Sequence, residues 1–241
     1  MTAALKPDYT KLPVGMVAFP HRESVFVPDQ VGLGDHLLPL FTIDLHTVNP
    51  DWAGDLHMLS PMEPYEGLVG DLTEGLGIHT PMLLTNWIGF TIEKGRYRLC
   101  GDSRFFYLHE ANADLPEVFP GVREELLHHY ENQHKAYAKA KEHFLKTQVL
   151  VDTTADAATP VPFVDRLGGA LNDNANWVQL SAFPLEAGQR PGTIHPVSPA
   201  GNQFQHVASV PGWRYSCAGA DMIILFYEPV EGLVLFTFDW S

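Results

Sequence analysis

The sequence predicts a strand-dominated α+β fold: two duplicated antiparallel β units, related by pseudo-symmetry, with one long amphipathic helix inserted between them. Three observations predict it. The heptapeptide "EPYEGLV" (Glu63 to Val69) returns as "EPVEGLV" (Glu228 to Val234), 165 positions later (228 − 63). Extended backwards without gaps, Ala53 to Val69 and Ala218 to Val234 share eight of 17 residues, where background composition supplies about one. Finally, "PDW" (Pro50 to Trp52) answers to "PGW" (Pro211 to Trp213), and "AFP" at Ala18 to Pro20 to "AFP" at Ala182 to Pro184, in the same order. One repeated turn would explain a heptapeptide; three matches in order imply two copies of one unit, residues 18–69 and 182–234.

Taken in chain order, the first copy reads as strand, turn and strand: "LPLFTIDLHTV", then "NPDWAG", then "DLHML", with Asn, Pro, Asp and Gly supplying turn chemistry. "NWIGFTIEKGRYRLCG" (86–101) alternates Ile88, Phe90 and Ile92, turns at "EKG" and alternates again through Tyr97 and Leu99. It predicts a hairpin with Arg96 and Arg98 toward solvent. Over 122–146 the apolar positions Leu126, Tyr130, Tyr137 and Phe144 follow helical spacing, while Glu124, Glu131, Lys135 and Lys139 face away; this is the inserted helix. "DTTADAATPVP" (152–162) reads as a linker. In the second copy "MIILFY" and "LVLFTFDW" flank "EPVEG", a hairpin in which Pro229 withholds a ladder donor and Gly232 permits positive φ. The same turn geometry is expected of both heptapeptides. A chain of 241 residues buries roughly 70–75% of its unfolded surface without staples, so a single two-lobed domain over 1–241 is expected.

Charge narrows the function. The net charge is −14, which disfavours nucleic-acid binding because phosphates are repelled. Eleven carboxylates and no Lys or Arg lie between Glu23 and Glu93. That tract is either a solvated acidic surface or a face that steers in a basic partner. Two cysteines, Cys100 and Cys217, suit buried thiols in a reducing compartment. The N-terminal stretch has no apolar core of a signal peptide, and no run approaches 18 apolar residues, so a cytoplasmic protein with no membrane contact is expected. Nucleophile elbow, phosphate loop, HExxH and paired CxxC motifs are absent, and no cofactor is expected.

"LPLFTIDLHTVNPDWAGDLHML", "RLGGALNDNANWVQ" (166–179) and "GADMIILFYEP…FTFDWS" together resemble the bacterial YwqG-like proteins, which are related in outline to the eukaryotic programmed-cell-death-2 proteins. The resemblance spans about half the chain; the helical insert over 119–147 looks particular to this one. It implies a strand-dominated α+β fold and carries no settled activity.

Three groups of candidate residues follow. The first is an interface for a basic protein partner, in concrete form an immunity protein neutralising a toxin: Trp52 and Tyr65 as aromatic anchors, with Asp51, Asp55, Glu63 and Glu66 around them. The second, belonging to an alternative reading as a metal-dependent hydrolase-like enzyme, is His46, Asp55 and His57, in which Asp-x-His spacing on a strand puts side chains on one face. These residues equally suit the polar faces of strands. The third is a small-ligand pocket at "GGALNDNANWVQ", where Gly168 and Gly169 admit close approach and Asn174, Trp177 and Gln179 could hold a sugar or peptide. Trp177 equally suits the core. Glu131 and His134 have the i, i+3 spacing of half a di-iron site, without a second helix to complete it.

Overall fold

The computed structural model describes residues 8–152, 159–172 and 175–240. A strand-dominated α+β architecture is what it shows. The chain opens with β1 (Met16–Ala18), the short helix α1 (Arg22–Val25), β2 (Leu37–Asp44) and β3 (Asp55–Pro61). These strands form an antiparallel three-stranded sheet in the order β1-β2-β3. There follow β4 (Leu83–Leu84), the hairpin β5 (Trp87–Glu93) and β6 (Arg96–Leu99), and the long helix α2 (Val122–Thr147). The rest comprises β7 (Arg166–Leu167), α3 (Asn176–Gln179), β8 (Leu185–Ala187), β9 (Ile194–Pro196), β10 (Gln205–Val210), α4 (Trp213–Ser216), β11 (Met222–Glu228) and β12 (Leu233–Asp239). A seven-stranded sheet runs β4-β5-β12-β11-β10-β7, with β6 added beside β5; β8 and β9 pair separately.

Strand pairing places the duplication more finely than the sequence match does. In the first unit Phe41 faces Met58 and Thr42 faces His57; in the second Ala208 faces Leu225 and Ser209 faces Ile224. Both strands of the pair therefore share one offset, 167 residues (208 − 41 and 225 − 58). A register shift falls between Pro39 and Phe41 in one unit and between His206 and Ala208 in the other, again 167 apart (206 − 39). The outer strands match as well: Ala18 lies opposite Phe41 as Leu167 lies opposite Ala208. The repeated unit is thus β1-β2-β3 and β7-β10-β11, bulge included.

Two expectations are corrected by this register. The second copy's first strand is β7, not the "AFP" segment at 182–184, which lies outside the named strands. The heptapeptides, 165 apart, are displaced by two residues from the strand equivalence. Glu228 closes β11 and turns the chain into β12; its carboxylate accepts the Val230 and Glu231 backbone N–H groups, both at 2.7 Å, and Gly232 takes a φ of +68°. Glu63 instead follows the end of β3, no strand answers β12 there, and the Glu63–Pro64 peptide is cis. A two-residue slip keeps every side chain on its own face, so burial pattern alone does not reveal it.

Packing explains why β11 and β12 read as unbroken apolar runs. Ile223 and Leu225 of β11, with Val234, Phe236 and Phe238 of β12, face one core; Ile224, Phe226 and Leu235 face another. The sheet is buried on both sides, the condition under which alternation disappears. The larger core is shared by both sheets and by α2, whose Leu126, Tyr130 and Phe144 are buried and whose Tyr137 is half-buried. On the helix's outer face Glu131 pairs with Lys135 and Glu142 with Lys146, each at 2.6 Å, at the i, i+4 spacing that favours a helix. The β5–β6 hairpin turns at Lys94 and Gly95, both at positive φ (+52° and +77°), as a type I′ turn demands. Arg98, expected in solvent, is drawn between Asp29 (2.8 Å) and Glu93. Among the described residues, no helix is long and apolar enough to cross a membrane.

Candidate functional site

The acidic tract does not present eleven free charges. Asp35 pairs with Arg22 at 2.6 Å, with Glu23 beside the same guanidinium, and Asp29 and Glu93 share Arg98. Asp44 accepts the His46 N–H at 2.9 Å, and Asp71 accepts the Leu68 N–H at 2.9 Å. Asp51, Asp55 and Glu66 are exposed with no hydrogen bond or ion pair to their carboxylates among the described residues.

Glu63 departs furthest from its expected place on that surface. It is buried, and both carboxylate oxygens accept the Tyr107 backbone N–H (3.0 and 3.2 Å) while Tyr130 donates its hydroxyl at 3.3 Å. Behind Tyr130, His36 Nδ1 stands 3.2 Å away. Burial pushes the Glu63 carboxyl up to about 8, the Tyr107 and Tyr130 hydrogen bonds opposing it only in part. Glu63 is therefore an interior group, and the ring of carboxylates around the aromatic anchors loses it.

The two anchors are also separated. Tyr65 is 56% exposed and sets its ring edge against His129 of α2, 5.4 Å between centroids. With Phe119, 46% exposed, it borders a small hollow whose floor is Leu72, Val122 and Leu126 and whose charged side chains, among the described residues, are Glu66 and Glu125. Trp52 is half-buried on the β2–β3 connection, edge-on to Tyr227 of β11 at 5.5 Å. It lines a cleft of about 630 Å³ between the β2–β3 connection, the Gly168–Ala170 segment and the β8–β9 hairpin.

The metal reading does not assemble. His57 is buried in β3 and spends both ring nitrogens: Nε2–H donates to the Gly95 carbonyl at 3.0 Å, so Nδ1 accepts from the Thr42 hydroxyl at 2.9 Å. His46 lies past the end of β2 in a 3-10 turn, exposed, and Asp55 sits opposite Asp44 across the sheet. Among the described residues no group of three or more His, Cys, Asp or Glu side chains could hold a metal ion.

In the third group, Trp177 is buried in the second core, edge-on to Trp87 and to Phe226, each at 5.8 Å. It cannot meet a ligand from there. Gln179 is exposed at the end of α3, and Asn174 lies outside the described residues. The paired glycines of the same segment do reach the cleft. Arg190, His195 and His206, which share it, carried no local signal in the sequence, because a cleft between a duplicated unit and an added hairpin is written only in the long-range pairing.

No family model matches the chain, and no curated protein or solved structure matches it. The likeness to the YwqG-like proteins rests on the sequence segments alone.

Proposed function

We propose that the protein is a cytoplasmic protein-binding module that holds a basic protein partner, in concrete form an immunity protein that neutralises a toxin. One observation carries the reading: at the Tyr65–Phe119 hollow, two exposed aromatic rings stand beside Glu66 and Glu125, with no Lys or Arg lining the site among the described residues. Exposed aromatic side chains grouped on an acidic rim suit an apolar residue flanked by Lys or Arg on the partner. Burying the rings supplies affinity and the rim speeds encounter. The chain's net charge of −14 adds long-range steering that salt screens. Relative to the sequence expectation, the anchor pair shifts from Trp52 and Tyr65 to Tyr65 and Phe119.

The test is retention of basic proteins from native lysate on wild-type protein and on a Glu66→Lys/Glu125→Lys variant. The same basic protein is expected on the wild type at low salt, lost at high salt, and weakened about tenfold or more on the variant. Tyr65→Ala is expected to raise its dissociation rate. A lysate that yields no basic protein at low salt overturns the reading, as does one held equally by both proteins.

A further inference from the structure

The two β units put different residues at one backbone position. Phe19 follows β1 and Gly168 follows β7; both have left-handed φ, +53° and +59°. Their N–H groups donate to equivalent carbonyls of the middle strand, Phe19 to Leu40 and Gly168 to Val207, each at 2.8 Å. In the first unit the Phe19 ring fills the space, within 5.3–5.6 Å of the Tyr137, Phe144 and Tyr215 rings. In the second there is no side chain, and Gly169 follows at φ +81°. The 630 Å³ cleft lies against these glycines, a volume in the ordinary range of small-molecule sites.

Its lining is chemically unlike the rest of the protein. Among the described residues no Asp or Glu lines it, although the chain carries 29 of them. Arg190 is exposed at its edge and its guanidinium makes no hydrogen bond or ion pair among the described residues. His206 is buried at 6% exposure; its Nδ1–H donates to the Gly168 and Gly169 carbonyls (2.9 and 3.2 Å), which leaves Nε2 as a bare acceptor. That atom is buried without a hydrogen-bond partner, at a cost of about 1–3 kcal/mol, and lies out of reach of an occupant of the open cleft. Burial also lowers the His206 pKa to about 4, so the lone pair persists at neutral pH. Trp52 offers a half-buried ring held from behind by Tyr227.

We propose that this cleft binds a small anion bearing a flat ring: the acid group on Arg190, the ring against Trp52. A ribonucleoside monophosphate is a simple molecule with both features, and an aromatic carboxylate is the other source of the same chemistry. The site is independent of the Tyr65–Phe119 hollow and requires no protein partner.

Calorimetric titration with adenosine 5′-monophosphate, 4-hydroxyphenylacetate, adenosine and inorganic phosphate tests it. One of the two ringed anions is expected to bind with Kd below about 1 mM, with adenosine and phosphate each at least about tenfold weaker because each lacks one contact. Arg190→Ala, at an exposed position, is expected to fold normally and to weaken that anion about tenfold or more; Arg190→Lys recovers part of the loss. A preference for phosphate over carboxylate identifies the nucleotide source. Failure of both ringed anions to bind overturns the proposal, as does adenosine binding as tightly as its monophosphate, or affinity unchanged in Arg190→Ala.

Discussion

Between pH 6.5 and 8.5, wild-type protein is expected to lose about 2 kcal/mol of unfolding free energy that a Glu63→Gln variant keeps. The cause is burial of the Glu63 carboxyl, which outweighs two backbone-type contacts to Tyr107 and one from Tyr130; Asp71 adds repulsion. With a folded pKa of about 8 against 4.5 for the free group, the native state holds a proton that the unfolded chain releases. Such a group contributes most below pH 4.5, and its contribution drains away as pH rises through 8. Glutamine remains neutral throughout and can accept the Tyr107 and Tyr130 bonds through its carbonyl. Denaturant unfolding of both proteins at 6.5, 7.5 and 8.5 measures the difference. Parallel pH profiles would show that Glu63 does not hold the proton. The window avoids His36 and His206, both lowered to about 4 by burial. Those groups withdraw stability only as pH falls below 6.5 toward 4.

The second large effect concerns Trp177. Trp177→Ala is expected to cost about 3–5 kcal/mol, the usual loss for emptying a large aromatic site, while leaving ligand affinity in the Arg190 cleft within about twofold. The ring is wedged between Trp87 and Phe226 under the outer face of the large sheet, and Phe183 stacks on Trp87 at 4.9 Å beside it. Removing it leaves a void bounded by rings that cannot close on one another. Trp177→Phe recovers part of the loss. Unfolding midpoints and a titration on the same preparations separate the outcomes: a variant of wild-type stability that no longer binds ligand would make Trp177 a binding residue after all.

Much of the architecture was legible in the chain because local patterns and packing agree. The helix over 122–146 ends one residue later, at Thr147, and the "EKG" turn and the β11–β12 hairpin fall where Gly95, Pro229 and Gly232 place them. What escaped is long-range. β7 spans two residues, too few for any periodicity, so the sequence does not disclose the second unit's first strand and offers "AFP" in its place. The heptapeptide attracted the alignment to 165 although the ladders run at 167, since an even slip leaves inside and outside unchanged. Glu63 read as surface because a carboxylate usually is; its burial depends on Tyr107 and Tyr130, 44 and 67 residues away. Of the cleft, the sequence marks only Trp52 and the glycine pair as candidates for binding. Arg190 and His206 acquire meaning from the hydrogen bonds and neighbours that the fold supplies.

The brevity of β7 has one more consequence. Local opening costs least where few backbone bonds and few apolar contacts must be given up. A two-residue edge strand followed by two left-handed glycines is such a place, whereas the Trp52 side of the cleft is tied to the central hairpin through Tyr227. The cleft thus has one stiff jaw and one that frays ahead of global unfolding, and an occupant would enter and leave past Gly168 and Gly169 while both cores remain closed.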